Sequence, residues 1–73
     1  MNISATASTV ELNGDSYKKG AVRVAYSGSI ISIFYPYSNN QALASKPFNE
    51  YSINGTECSS VDTFRAFERT NFY

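Results

Sequence analysis

The chain has 73 residues with six Lys or Arg, six Asp or Glu, no His and one Cys, for a formal net charge of zero. That length allows one small domain burying only roughly 60% of its unfolded surface; one Cys excludes an intrachain disulfide, and the lack of His removes the commonest metal ligand. Balanced charge argues against a nucleic-acid binder driven by electrostatics and against a polybasic membrane-surface protein. Added stability is therefore expected from self-association, from a partner, or from an aromatic core of six Tyr and five Phe.

The opening stretch, MNISATASTVELNG, has neither a basic n-region nor an apolar h-region, so no signal peptide is expected. The apolar run from Ile30 to Tyr37 is too short to cross a bilayer and is broken by Ser32 and Pro36. A soluble chain made in a reducing cytosol follows, with Cys58 reduced. Residues 1–8 read as an extended arm or an edge strand, with Ile3 as a contact candidate. A first strand spans roughly Ser8 to Leu12, and Asn13 to Ser16 (NGDS) signals a turn.

AVRVAYSGSIISIFYPY is a hairpin pattern. With a two-residue turn at Ser27-Gly28, Val24 faces Ile31 and Val22 faces Ile33. One face then carries Val22, Val24, Ile31, Ile33 and Tyr35, the expected core side. The other carries Ala21, Arg23, Ala25, Ile30, Ser32 and Phe34. Ile30 and Phe34 are too apolar for ordinary solvated positions, so a helix or another chain is expected over them. Pro36, without a donor for a ladder bond, ends the strand or marks an edge.

YSNNQALASKP reads as a polar connector with a short helical turn at Gln41 to Ser45. Loops of this length are often contact loops, which makes Tyr37, Asn39, Asn40 and Gln41 interface candidates beside Ile30 and Phe34.

Asn54-Gly55 is a hairpin signal, because both positions tolerate the positive φ of a type I′ turn. Tyr51–Ile53 and Thr56–Cys58 become short strands, with Ile53 opposite Thr56 and Tyr51 opposite Cys58. A helix over 59–70 follows. Ser59 and Asp62 form a capping-box pattern, Ser60 is the competing cap, and Val61, Phe64 and Phe67 make one apolar stripe.

Catalytic constellations are not evident. Cys58 precedes a helix start, where a thiolate is favoured, but a Cys nucleophile needs a base and the chain has no His. The six acids are scattered singly, without calcium-loop spacing. The four glycines form no phosphate-cradling loop. Tyr26, Tyr35, Tyr37 and Tyr51 could stack bases on a single-strand platform, but such platforms interleave basic residues, and core packing or a protein interface explains these tyrosines better. No cofactor, metal, small-molecule substrate or membrane partner is expected.

The C-terminal third, FNEYSINGTECSSVDTFRAFERTNFY, resembles small virion proteins of tailed bacteriophages in layout: an Asn-Gly hairpin, a small-residue junction with an acid, then a short aromatic helix. Ile53, Asn54, Gly55, Cys58, Ser59, Asp62, Phe64, Phe67 and Phe72 carry the likeness, and VRVAYSGSIISIFYPY fits the same layout. The resemblance implies a non-enzymatic packing or assembly role in a capsid or tail. The partners would be other virion proteins or copies of the chain itself, and the protein would be made in the bacterial host cytoplasm.

The expectation is a single α+β domain over 1–73: a small antiparallel sheet of three to five strands, built from two hairpins, with one C-terminal helix packed on it. Its contacts run through Ile3, Ile30, Phe34, Tyr37, Asn39, Asn40 and Gln41. A phage-encoded inhibitor or adaptor of a host protein is the main rival, and a single-stranded nucleic-acid binder stands behind it.

Overall fold

The computed structural model describes residues 9–73. The fold is α+β, with seven strands in two antiparallel sheets and one C-terminal helix. The proposed arm of residues 1–8, including Ile3, lies outside the described residues. The strands are β1 (Thr9–Leu12), β2 (Asp15–Lys18), β3 (Arg23–Ser27), β4 (Ile30–Phe34), β5 (Ala42–Pro47), β6 (Ser52–Ile53) and β7 (Thr56–Glu57). A 3₁₀ turn, Phe48–Glu50, links β5 to β6, and α1 spans Val61–Asn71. One sheet has the order β2-β1-β6-β7 and the other β3-β4-β5.

Sequence patterning points to a single sheet; the structure has two because the chain leaves the first sheet after β2. Gly20 takes φ +77, a left-handed conformation that costs glycine little, and its N–H bonds the Phe72 carbonyl at 2.8 Å. This bend drops Val22 into the interior as β3 begins.

The first sheet is built from two hairpins with Asn-Gly turns. Asn13 and Asn54 both have φ +52, followed by Gly14 at +91 and Gly55 at +83, the type I′ pattern that matches strand twist. The first turn makes a strand of Asp15–Lys18, which polar composition disguises. β2 is an edge strand whose residues are exposed apart from half-buried Tyr17.

The β3–β4 hairpin turns at Gly28-Ser29, one residue later than expected. Gly28 has φ +60 and occupies the first central position, which a type II′ turn reserves for glycine. Tyr26 therefore faces Ile31, Val24 faces Ile33 and Arg23 faces Phe34. Each β3 residue meets a partner two places further along β4. A two-residue shift preserves side-chain parity, so the expected division of the faces survives.

Residues 42–47, expected within a loop with a helical turn, form β5 instead. Ala, Ser and Lys have no strand preference of their own; pairing with the apolar β4 overrides local propensity. The ladder shifts between Ile33, opposite Ala44, and Phe34, opposite Ala42, leaving Leu43 as the bulged residue.

Helix α1 begins one residue after Ser60, whose Oγ accepts the Thr63 N–H at 3.1 Å. Ser60, not Ser59, is the cap, and Thr63 occupies the third helical position where a Ser59 cap would have placed Asp62. Ser59 still contacts the Thr63 hydroxyl at 3.1 Å. Asp62 in the first turn and Arg69 in the last complement the helix dipole.

The core joins both sheets and the helix through Val10, Leu12, Val22, Ile31, Ile33, Tyr51, Ile53, Cys58, Phe64 and Phe72. Phe64 is fully buried and makes edge-on ring contacts with Tyr51 at 5.3 Å and with Tyr26 and Phe72 at 6.1 Å. Tyr51 spans the layers, its hydroxyl donating to the Ile31 carbonyl at 2.7 Å. A buried phenol placed this way fills volume and keeps its polar tip bonded.

Candidate contact surface

The inner face of β3-β4-β5 carries Val24, Tyr26, Ile31, Ile33 and Ala44 into the core. Helix α1 lies on this face: Tyr26 donates to Glu68 at 2.5 Å while the Arg65 guanidinium sits 4.0 Å above its ring. The opposite face, which alternation gives to Arg23, Ala25, Ile30, Ser32 and Phe34, therefore has no helix of the described residues over it. Of the two covers expected there, a helix or another chain, the helix lies on the core side instead.

Arg23 organises one end of this outer face. Its guanidinium lies 3.8 Å from the centroid of the Phe34 ring, a cation–π contact. Its Nε donates to the Tyr37 carbonyl at 3.3 Å and its Nη2 to the Asn39 carbonyl at 3.4 Å. The loop after β4 is thereby tied to the sheet by a side chain of the neighbouring strand. Asn39 completes the loop. Its N–H bonds the Pro36 carbonyl at 2.8 Å, its Nδ2 donates to the Tyr35 carbonyl at 3.4 Å, and its Oδ1 accepts the Gln41 N–H at 3.0 Å. Along the middle of the face, the Ser32 and Ser45 hydroxyls meet at 3.0 Å.

Of the expected contact residues, the structure brings Phe34, Tyr37, Asn39 and Gln41 together around Arg23. Asn40 is exposed in the same loop, while Ile30 stands at the far end of β4 opposite Ser27 and Pro47. Tyr37 is 55% and Ile30 38% exposed, so both ends of the surface offer apolar area to a partner. The contact loop is shorter than expected, because 42–47 is strand. Arg23 was not among the sequence candidates, although alternation had already put it on one face with Phe34.

The tyrosine platform does not form from the four residues considered for it. Tyr51 is buried, Tyr26 and Tyr35 pack against the core, and Tyr37 alone of the four is exposed. Tyr35 instead meets Tyr17 edge-on at 4.9 Å. Cys58 lies in the core behind the helix start, and burial pushes its thiol pKa up, which opposes thiolate chemistry. Among the described residues, no group of three or more His, Cys, Asp or Glu side chains is placed to hold a metal.

A hollow of about 280 Å³ opens between the sheets, lined by Leu12, Tyr17, Ile33, Leu43, Lys46 and Tyr51 among others. Part of its polar lining is committed to the fold. The Tyr51 hydroxyl is spent on Ile31, and Asn13 Oδ1 accepts the Ser52 N–H at 2.9 Å. Lys46 stands with its Nζ 5.7 Å from the centroid of the Tyr51 ring.

Two of the four sheet edges, β5 and β2, are guarded; β3 and the two-residue β7 are the other two. β5 carries the Leu43 bulge, Lys46 and Pro47, and β2 carries Asp15 and Lys18. Bulges, charges and proline all obstruct addition of a further strand at β5 and β2. No helix of the described residues is long and apolar enough to cross a membrane. Comparison with known proteins finds no matching family model, no matching curated protein and no matching solved structure.

Proposed function

We propose that this chain is a non-enzymatic assembly protein of a phage virion, acting through protein–protein contacts with copies of itself or with other virion proteins. The observation that carries the contact role is the outer face of β3-β4-β5. There Arg23 fixes Phe34 and the Tyr37–Gln41 loop into one surface, while Ile30 and Tyr37 remain exposed. Interface cores favour aromatic residues and Arg and are poor in Lys and acids; Arg23, Phe34 and Tyr37 fit that pattern, whereas Ala25 and Ser32 are of types such cores hold sparingly. Zero net charge removes the long-range repulsion that keeps like chains apart. The virion setting rests on the layout of the C-terminal hairpin and helix.

Light scattering of the untagged protein over a wide concentration range tests the contact role. A discrete oligomer is expected, and it should be dissociated by Ile30→Lys and Tyr37→Ser, both of which alter exposed side chains and leave the core intact. Mass spectrometry of purified particles tests the setting. A chain that stays monomeric and is absent from particles overturns the reading in favour of an inhibitor or adaptor of a host protein.

A further inference from the structure

The two Asn-Gly turns share a backbone geometry but differ in how their side-chain amides are held. Asn54 is secured at both ends. Its Oδ1 accepts the Glu11 N–H at 2.9 Å, and its Nδ2 donates to Asn71 Oδ1 at 2.7 Å. Asn71 is itself anchored, its Nδ2 donating to the Phe67 carbonyl at 3.0 Å. Asn13 Oδ1 accepts the Ser52 N–H at 2.9 Å, but among the described residues its Nδ2 has no corresponding acceptor.

We propose that Asn13 is a site of spontaneous deamidation, and that Asn54, followed by the same residue in the same turn type, is protected by its bond to Asn71. Glycine after asparagine leaves the backbone nitrogen unobstructed. That nitrogen loses its proton to solvent and bonds Asn Cγ; the Cγ–Nδ2 bond breaks and the amide departs as ammonia. One water then opens the resulting five-membered imide at either carbonyl, leaving aspartate or isoaspartate. Reaching the imide requires the asparagine side chain to leave its hydrogen bonds and swing over its own backbone. The rate in the folded protein therefore follows the opening equilibrium of each turn. A hydrogen bond's net worth corresponds to about fivefold in such an equilibrium.

The two sites also differ in what conversion does. Aspartate at position 13 still offers an oxygen to the Ser52 N–H, while adding a charge to a second, smaller hollow that residue 13 lines together with Glu50 and Glu57. Aspartate at position 54 would lose the donor to Asn71 and set a carboxylate against its Oδ1, releasing the end of α1 from the hairpin. The less tightly held amide is thus the one whose loss the fold tolerates better.

Peptide mapping with isoaspartate resolution, after incubation of the folded protein in mildly alkaline buffer, tests this. Asn13 should convert about fivefold faster than Asn54, and the gap should close in denaturant. Asn71→Ala should raise conversion at Asn54 and leave Asn13 unchanged, whereas Asn71→Asp, which keeps an acceptor, should retain the protection. Equal or faster conversion at Asn54 in the folded protein, or a gap that persists in denaturant, overturns the proposal. If circular dichroism shows Asn71→Ala to be unfolded, the folded-against-denatured comparison in the parent protein decides alone.

Discussion

Asn13 and Asn54 perform the same task for each other's hairpin. Asn13 uses its N–H and its Oδ1 to bond the carbonyl and N–H of Ser52, each at 2.9 Å. Asn54 does the same to Glu11, at 2.8 Å and 2.9 Å. The exchange brackets the antiparallel pair Leu12–Ile53, the one Cα pair by which β1 and β6 meet. Two turns therefore extend a one-pair ladder, relating the hairpins by an approximate two-fold.

Replacing Asn54 separates the two demands on it. Asn54→Gly keeps the positive φ but loses both side-chain bonds, and should cost about 1–2 kcal/mol. Asn54→Ala loses the same bonds and adds left-handed strain worth about 1–2 kcal/mol more. Midpoints of urea unfolding should rank parent, Gly, then Ala; an Ala variant no weaker than Gly would show that the backbone conformation is not the constraint.

Phe64 is the keystone of the aromatic cluster. Phe64→Ala should cost about 3–5 kcal/mol, a large share of a small domain's stability. Phe67→Ala, which truncates a half-buried ring on the same helix, should cost clearly less. Thermal unfolding of the two variants provides the comparison.

Gly28 has open space where a Cβ would stand, so a substitution there meets conformational strain and no clash. Gly28→Asn, whose side chain tolerates positive φ, should be milder than Gly28→Val, whose β-branch does not. The hairpin should report the difference as faster amide exchange in β3 and β4.

Alkali should unfold the protein through its tyrosines. Burial, with a smaller contribution from Glu50, pushes Tyr51 up to about 12 from its ordinary 10.0. The hydrogen bond to Glu68, then burial, pushes Tyr73 up to about 12 as well, and burial together with Glu68 raises Tyr26. Below the ordinary value the phenols are neutral in both states and their contribution is fully present. Above it the unfolded chain releases protons that the folded chain retains, so stability should fall as pH rises from 10.0 towards 12. Denaturation midpoints across that window should decline, and Tyr51→Phe should flatten part of the decline.

Arg23→Ala should leave global stability within about 1 kcal/mol, because its bonds are exposed. It should still free the Tyr37–Gln41 loop and weaken any oligomer. Amide exchange confined to that loop, with an unchanged melting midpoint, is the expected pattern.

What the sequence revealed, and what it hid, follows from the range of the forces involved. The Asn54-Gly55 turn, the Phe64 stripe and the Val24–Ile33 alternation are local signals, and each locates its element, whereas Asn13-Gly14 marks a turn without disclosing the polar strand β2 that follows it. The β3–β4 turn was misplaced by one residue because Ser27-Gly28 and Gly28-Ser29 both put glycine in a turn; only the type II′ preference for glycine at the first central position separates them. β5 is hidden from local patterning because Ala42, Ser45 and Lys46 become strand through partners on β4. The Asn13–Ser52 and Asn54–Glu11 bonds cross 39 and 43 residues, so no window of sequence contains them. At the contact surface Phe34 and Tyr37 were visible as misplaced apolar side chains, whereas Arg23 became significant only once its reach to the loop carbonyls was known.

The defended edges of the two sheets bear on crowding. Chains emerging together at high local concentration meet first through whatever backbone is unpaired. Here an incoming strand encounters a bulge, a lysine and a proline on β5, and opposite charges on β2. At these two edges, growth by strand addition, the route to fibres, is obstructed. An assembly made by pairing the outer face of β3-β4-β5 with its own copy would saturate when that face is covered, and its size would then be set by geometry and not by supply.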